Sequence, residues 1–278
     1  MSALRHDPPA LRIAIVAALL FLLLGFLSIL WTPYPVTSLD VAAALQDPGG
    51  AHWLGTDELG RDVLSLLMKG ILTSFVVAGV AVAIGALLGV PLGLAAALLG
   101  PYAELGATGV SGYLLTLPAF VLAVLFACLF GPSAATLMVA IGIANIAPLA
   151  LATRDAIRTA AAPDYVAAGR LAGGSGLDLA RRHMLPTILR LILAQAIAQL
   201  AVGVLAEAPL SYVGLGTQPP ATSLGLLLAD AQAYAAGRPG LLFVPGLALL
   251  LIALALTIVS REIRAAAGDT TGGAHGAA

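Results

Sequence analysis

The chain has 278 residues, of which 60% are hydrophobic and only 10% are charged, and its mean hydropathy is +1.02. This balance excludes an ordinary soluble domain, in which about a quarter of the residues carry a charge. The formal net charge of -1 gives no argument for a nucleic-acid partner, because topology alone explains where the basic residues stand. The sequence therefore predicts an integral membrane protein that is surrounded by lipid and does not bind nucleic acid.

Six apolar runs are long enough to cross a membrane, since a helix needs about 20 residues to span roughly 30 Å of hydrocarbon. They are Leu11–Leu30, Ile71–Leu99, Gly112–Phe130, Ala134–Ala152, Ile188–Tyr212 and Leu241–Ser260. Runs this apolar must satisfy their backbone hydrogen bonds internally, so we expect an all-α integral membrane protein with six transmembrane helices. Several of these runs contain a proline, which removes a backbone donor and can kink its helix, among them Pro91, Pro118, Pro148 and Pro245.

The chain divides into three predicted parts. Residues 1–10 are a cytoplasmic N-terminus, residues 11–264 a transmembrane domain, and residues 265–278 a small polar tail that we expect to be disordered. The transmembrane domain is predicted to consist of a first helix at 11–30, an outer segment at 31–70, helices at 71–152, a cytoplasmic loop at 153–187 and helices at 188–260.

The basic residues are unevenly divided between the two sides of these spans. Ten of the 13 lie on the side that holds both termini, the turn at Pro101 and the 153–187 loop, whereas Arg61, Lys69 and Arg238 lie on the other. Cytoplasmic loops of membrane proteins carry the excess of Lys and Arg. We therefore expect both termini and the 153–187 loop to be cytoplasmic.

A polar motif follows the first span, within the stretch HWLGTDELGRDVLSLLMKG from His52 to Gly70. Its Asp and Arg side chains are spaced so that they can pair and fix the local fold. We favour this structural role over contact with a transported solute, which would touch the spans. The motif comprises Gly55, Thr56, Asp57, Gly60, Arg61 and Asp62.

Small residues recur every four positions along the second span. A stripe of this kind lets another backbone approach closely. We interpret it as a packing surface within the chain, with a dimerisation surface as the alternative. The stripe consists of Ala81, Gly85, Gly89, Gly93 and Ala97.

The cytoplasmic loop contains the polar stretch DYVAAGRLAGGSGLDLARRHMLP, from Asp164 to Pro186. Pro163 suits the first turn of a short helix, with Asp164 near its positive end, and Gly173-Gly174 supplies a stop. A second short helix is expected from about Leu177 to Leu185, before Pro186 starts the fifth span. The loop is therefore predicted to be two short helices joined by a glycine elbow.

Glu207 is the one acidic residue deep in an apolar run, toward the outer end of the fifth span. Carboxylates inside a membrane are costly and usually face a cavity or a partner, which favours a pathway or gating role. The alternative is a helix-end carboxylate that is hydrogen-bonded within the Gly214–Pro220 turn. The sequence does not decide between the two.

The loop resembles the cytoplasmic signature of permease subunits of binding-protein-dependent ABC importers. That signature is Glu-Ala-Ala, three residues, Gly, nine residues, Ile, one residue and Leu-Pro. Here Ala167-Ala168-Gly169 is followed at the same spacing by Gly173, His183 and Leu185-Pro186. The acidic residue of the signature is replaced by Ala167.

Two further stretches resemble the dipeptide, oligopeptide and nickel permease group, particularly its second, shorter permease. They are His52 to Gly70 and EAPLSYVGLGTQPPATSLGLLLADAQAY, from Glu207 to Tyr234. With the loop, the resemblance extends from about residue 52 to residue 260. It implies the permease fold of type I ABC importers.

The resemblance also implies a division of labour. Two homologous permeases form the pathway, two cytoplasmic ATPases bind ATP and magnesium, and an extracytoplasmic binding protein delivers the solute. The loop of the permease docks on the ATPase and transmits its closure to the spans. The positions that carry this coupling role here are Asp164, Tyr165, Ala167, Ala168, Gly169, Arg170, Gly173, Leu185 and Pro186.

The chain itself lacks a phosphate-binding loop, which needs Gly-Lys followed by Ser or Thr. Its only lysine, Lys69, is followed by Gly70. We therefore expect no enzymatic activity and no cofactor in this chain, and ATP hydrolysis in partner subunits. Short peptides are the broadest expectation for the solute, with nickel chelates and opines as alternatives within the same machinery.

Two other classes of membrane protein are less well supported. Gly173-Gly174-Ser175-Gly176 matches the Gly-x-Ser-Gly of rhomboid proteases, but none of the four histidines lies within a predicted span to act as base, and they are too dispersed for a metal site. An ion-coupled secondary transporter would suit a buried carboxylate, yet no inverted repeat is visible. It would work with an ion gradient alone, which an ATP-driven importer would not.

Overall fold

The computed structural model describes residues 9–160 and 185–272, and nearly all of their regular structure is helical. A short 3-10 helix, Val41–Ala43, lies between the first two α-helices, and Thr56 and Asp62 form an isolated β-bridge. The α-helices are α1 (Pro9–Leu30), α2 (Val63–Leu98), α3 (Pro101–Thr116), α4 (Ala119–Phe130), α5 (Ala134–Ala160), α6 (Leu185–Tyr212), α7 (Leu224–Gln232) and α8 (Pro239–Gly272). The predicted all-α membrane fold is confirmed.

Five of these helices are long and apolar enough to cross a membrane: α1, α2, α5, α6 and α8. A sixth crossing requires α3 and α4 together, and these two helices meet at an angle of 79°. The third span predicted over Gly112–Phe130 is therefore bent, and the bend lies at Pro118, one of the prolines expected to kink a helix. Pro118 disfavours a helical conformation for Leu117, which is extended (φ -86, ψ 111), and this breaks the helix between α3 and α4.

α2 begins at Val63, eight residues before the apolar run predicted from Ile71, because Asp62 caps the helix there. Its 36 residues correspond to about 54 Å of helix, well beyond the hydrocarbon thickness. Pro91 lies inside the helix without ending it. α2 therefore extends past the hydrocarbon region, and its neighbours pack along its whole length.

The small-residue stripe of α2 faces α5 within the same chain. A Cβ at Gly85 would lie 2.5 Å from the Cβ of Asn145, and one at Gly89 would lie 2.5 Å from the carbonyl oxygen of Ile146. Real side chains do not approach so closely, so the two backbones touch only because the glycines lack side chains. The stripe is a packing surface within the chain.

α2 and α6 lie at the centre of the bundle. One apolar cluster joins them to α1 and α8, and includes Ile71, Val204 and Ile252. A second cluster joins them to α4 and α5, and includes Val77 and Leu137. Both central helices therefore carry apolar contacts on two sides.

Two other boundaries differ from the sequence analysis. The fifth span, predicted from Ile188, is described as helix α6 from Leu185, so its first described turn includes the Leu-Pro pair. The last helix, α8, continues to Gly272, so the backbone of residues 265–272 is helical instead of disordered. Hydropathy locates the apolar part of a helix and does not detect a polar extension of it.

Residues 31–62 and 213–238 lie at the same end of the bundle, which we call the cap end. It is the end where α1 and α6 finish and where α2 and α8 start. At the opposite end, Arg158 of α5 pairs with Glu104 of α3 at 2.5 Å, and Arg264 of α8 donates a hydrogen bond to Gln195 of α6 at 2.5 Å. Polar contacts thus join neighbouring segments at both ends of an otherwise apolar bundle.

Candidate functional site

Asp57 is the centre of the polar motif that follows α1. Its buried carboxylate accepts hydrogen bonds from the backbone N–H groups of Leu59, at 2.9 Å, and Arg61, at 2.8 Å. The Arg61 guanidinium donates a third at 2.6 Å. Because one of the three donors is charged, the carboxylate holds residues 57–61 in a tight turn.

Asp62 caps the first turn of α2. One of its carboxylate oxygens accepts from both the backbone N–H of Ser65, at 2.8 Å, and the Ser65 hydroxyl, at 2.7 Å. The other lies 3.0 Å from Nδ1 of His52. A helix start leaves backbone donors unpaired, and this side chain satisfies one of them. Asp62 thereby determines where α2, the longest of the described helices, begins.

Thr56 ties the motif to the 3-10 helix. Its hydroxyl donates to the carbonyl of Ala43 at 2.5 Å and accepts the backbone N–H of Gln46 at 2.8 Å. Gly60 has a φ of +73°, and any Cβ there would overlap the carbonyl of Asp40. Gly55 lies in the same left-handed region at +78°. The structure thus brings all six residues of the predicted motif into one folded unit.

Two ion pairs connect this unit to the rest of the cap end. Arg61 Nη2 lies 3.8 Å from Asp230 of α7. Arg238, which directly precedes α8, pairs with Asp47. The segment after α1 is therefore attached to both α7 and the start of α8.

Glu58 and Asp230 are half-buried carboxylates beside this junction, in a small pocket walled by apolar side chains such as Leu66, Leu67 and Leu227. Burial raises the pKa of Glu58; the Asp57 and Asp230 carboxylates act in the same direction, against a backbone hydrogen bond and Arg61. Burial likewise raises the pKa of Asp230, with Arg61 opposing and Asp57 adding to the rise. Both carboxylates therefore hold a proton to higher pH than in the unfolded chain.

We expect the protein to lose stability as the pH rises through the raised pKa values of Glu58 and Asp230. The contribution is fully present below their ordinary pKa values of 4.5 and 3.8, and is lost as the folded-state carboxylates ionise above those values. Thermal denaturation of the purified protein from about pH 4 to 8 measures this slope. The double variant Glu58→Gln, Asp230→Asn should flatten it, whereas Glu262→Gln on α8 should not. An equally steep slope in the double variant would contradict the assignment.

Glu207 on α6 is fully buried, and both of its carboxylate oxygens accept hydrogen bonds. The hydroxyl of Ser211, one turn further along α6, donates at 2.5 Å, and that of Ser74 on α2 donates at 2.8 Å. Each serine oxygen in turn accepts a backbone N–H, from Thr217 at 3.4 Å and from Leu224 at 3.3 Å. We call Glu207, Ser74 and Ser211 the Glu207 node. It lies between α2, α6 and the segment that connects α6 to α7.

Ser74 and Ser211 are not singled out by the sequence. The four-residue spacing of Glu207 and Ser211 places both on one face of a helix, and this signal could have found Ser211. Ser74 is 133 positions from Glu207 along the chain, and no local pattern relates the two. Only the packing of α2 against α6 brings this serine to the carboxylate.

The predicted coupling residues from Asp164 to Gly173 lie outside the described residues. Leu185 and Pro186, which end the loop signature, lie in the first turn of α6. Across residues 9–160 and 185–272, no three His, Cys, Asp or Glu side chains are grouped so that they could hold a metal ion.

Comparison with known proteins places this architecture in context. Residues 89–265 match the family described as binding-protein-dependent transport system inner membrane component. The di/tripeptide transport system permease protein DppC of Pseudomonas aeruginosa (strain UCBPP-PA14) is 33% identical over 260 residues, covering 90% of this chain and 86% of that protein. The nickel transport system permease protein NikC of Escherichia coli (strain K12) is 28% identical over 255 residues, covering 92% of each chain.

A solved structure shares the fold. The MetNI methionine ABC transporter in an inward-facing conformation aligns with a TM-score of 0.60 and 19% sequence identity. The alignment covers 72% of this chain and 95% of the transporter chain. At this identity the likeness concerns the arrangement of the helices.

Proposed function

Because the chain belongs to the family of binding-protein-dependent transport system inner membrane components, we propose that it forms half of the pathway through which an ABC importer takes up short peptides. The observation that carries this proposal is the match to a di/tripeptide permease along 90% of the chain. A match of this extent includes both the cap end and the spans. A second, homologous permease, or a second copy of this chain, supplies the other half of the pathway.

Energy for transport comes from two cytoplasmic ATPase subunits that bind ATP and magnesium. We assign contact with them to the 164–186 loop, whose glycine and Leu-Pro spacing matches the docking signature of such permeases. In this proposal Gly173 is the elbow glycine that the sequence predicts, and Leu185-Pro186 lies in the first turn of α6, a helix at the centre of the bundle. Movement of the docked loop is therefore delivered to a helix that contacts most of the others.

The proposed orientation places both termini and the loop in the cytoplasm of a bacterial cell, with the chain in the inner membrane. In the described part of the chain, Arg154, Arg158 and Arg190 lie near the end opposite the cap. The positive-inside rule makes that end cytoplasmic. The cap end then faces outward, toward an extracytoplasmic solute-binding protein.

A pull-down of the tagged chain from its native membranes in mild detergent tests this function. We expect a second permease, ATPase chains and vanadate-sensitive ATP hydrolysis in the purified fraction. Gly173→Asp should recover less ATPase, because a charged side chain at the elbow opposes the turn. Gly50→Asp is the matched control, since Gly50 is exposed at the cap end and a Cβ there meets nothing within 4 Å.

Recovery of the chain alone and without ATP hydrolysis would contradict the proposal. Uptake into liposomes driven by an ion gradient would then favour a secondary transporter. If the importer is recovered, mass spectrometry of material released from the co-purified binding protein identifies the cargo. A nickel chelate or an opine in place of a peptide would keep the mechanism and change the solute, in line with the nickel permease among the relatives.

A further inference from the structure

The connection between α6 and α7, which we call the 213–223 loop, reaches the Glu207 node from two sides. In its first half, the Thr217 N–H donates to Ser211 Oγ. Directly after the loop, the Leu224 N–H donates to Ser74 Oγ. Both serine hydroxyls then donate to the same carboxylate. The Glu207 carboxylate thus orients both serine hydroxyls, whose oxygens accept hydrogen bonds from the backbone N–H groups of Thr217 and Leu224.

The two sides of this junction belong to different helices. Ser211 and Glu207 are on α6, whereas Ser74 is on α2. Among the described residues, the bond from Leu224 to Ser74 is the hydrogen bond that joins this connection to α2. The node therefore links the position of the loop to the relative position of α2 and α6.

Close backbone packing accompanies these bonds. A Cβ at Gly225 would overlap the carbonyl of Ala208 on α6, and a Cβ at Gly70 would lie 3.2 Å from the backbone carbon of Ser223. These glycines allow the connection to lie directly on both helices. A shift of either helix would strain this contact, because the packed backbones leave no free space between them.

Glu207 has no surface left for a solute within this chain. It is fully buried, and Ser74 and Ser211 each occupy one of its oxygens. Burying a carboxylate in an apolar bundle is costly unless it is hydrogen-bonded. Here the donors are two serine hydroxyls, and the oxygens of these hydroxyls accept backbone N–H groups of Thr217 and Leu224. The two serine hydrogen bonds therefore explain why a carboxylate can be buried inside the bundle, and no contact with a transported solute is needed.

We propose that Glu207 is a positioning residue that couples the 213–223 loop at the cap end to the relative motion of α2 and α6. This role rests on the proposed importer function, in which the ATPases would drive the motion of α2 and α6 relative to each other. It assigns no contact with the solute. Loss of the carboxylate is expected to free the loop and to loosen the link between helix movement and ATP turnover.

Glu207→Gln is the decisive substitution. It keeps the size of the side chain but replaces one acceptor oxygen by an NH2 donor, so that one serine hydroxyl loses its acceptor. Spin labels at Gly50→Cys and Ala221→Cys, both exposed positions at the cap end, report the position of the loop by their distance distribution. Cys128→Ser removes the single native cysteine. The complex is purified from native membranes, and basal ATP turnover is measured per assembled complex.

In Glu207→Gln we expect a broader distribution of distances between the two spin labels. We also expect the basal ATP turnover to rise about fivefold, because loss of one buried hydrogen bond changes the ratio of two conformational populations by about that factor. Glu262→Gln, a carboxamide substitution on α8, should change neither. A role in folding alone would lower the yield and the thermal midpoint and leave the turnover of assembled complexes at its normal value. If Glu207→Gln does not assemble, Ser74→Ala and Ser211→Ala decide by the same two measurements.

An unchanged distance distribution, or a broadened one with normal ATP turnover, would overturn the proposal. The unsubstituted complex separates this result from failure of the importer function. If that complex hydrolyses no ATP, the importer function fails. If it does, and the variants match it in both measurements, the coupling role of Glu207 fails alone.

Discussion

Gly89→Leu is expected to prevent α2 from packing on α5 and to lower the amount of folded protein at least about tenfold. A Cβ at this position would already lie 2.5 Å from the Ile146 carbonyl oxygen, and the contacting atoms of α5 include backbone that cannot rotate away. Overpacking of a core typically costs about 1–3 kcal/mol, and a backbone clash lies at or above the upper end of that range. Membrane-inserted, monodisperse protein can be quantified by fluorescence-detected size-exclusion chromatography.

Gly79→Leu is the matched control for this experiment. Gly79 is on the same helix, but a Cβ there meets nothing within 4 Å. The control should leave the yield close to that of the unsubstituted protein. Equal yields of Gly89→Leu and Gly79→Leu would show that the α2–α5 contact is not as close as described.

Asp57→Asn is expected to lower the free energy of unfolding by about 2 kcal/mol, because it takes the charged partner from Arg61 and places an NH2 donor among N–H donors. Arg61 is left with Asp230 at 3.8 Å as its remaining ion-pair partner among the described residues. The amide oxygen that remains can still accept the backbone N–H groups of Leu59 and Arg61, so the substitution removes the bond from the Arg61 guanidinium and leaves the turn its backbone acceptor. Thermal denaturation at neutral pH in mild detergent measures the change.

The adjacent carboxylate provides the control, because Glu58→Gln should shift stability in the opposite direction. Burial opposes the ionised form of Glu58, so its neutral substitute removes a cost at neutral pH. Two neighbouring acid-to-amide substitutions thus have opposite expected signs. A loss of stability in Glu58→Gln as large as that in Asp57→Asn would refute the distinction drawn between them.

Hydropathy located the spans because a helix in lipid must be apolar for about 20 residues, and this requirement is visible in any window of the chain. It could not show the bend between α3 and α4. A window average of hydropathy measures how apolar a stretch is and says nothing about the direction of the helix axis. It also misses the start of α3 at Pro101, which lies in a less apolar stretch. Pro118 did mark the point of the bend, since the residue before a proline avoids the helical conformation.

The polar motif around Asp57 and the Glu207 node differ in how much of each could be predicted from the sequence. Asp57 and Arg61 are four residues apart, so their pairing is a local property that spacing alone suggests. The Glu207 node depends on α2 and α6 meeting side by side, and Ser74 looks like any other small polar residue in a span. The sequence therefore identified Glu207, the carboxylate that is costly to bury, but not the two serine hydroxyls whose hydrogen bonds offset that cost.

The unbroken course of α2 has a mechanical consequence. One continuous helix carries the Asp62 cap, Ser74 of the Glu207 node and the glycines that contact α5. A rod of about 54 Å behaves as a lever arm, so a tilt of about 5° around one end displaces the other by roughly 5 Å. A displacement of that size exceeds the length of a hydrogen bond. A small rotation imposed at the end near Leu98 would therefore be large enough to break or form the contacts of the outermost turns.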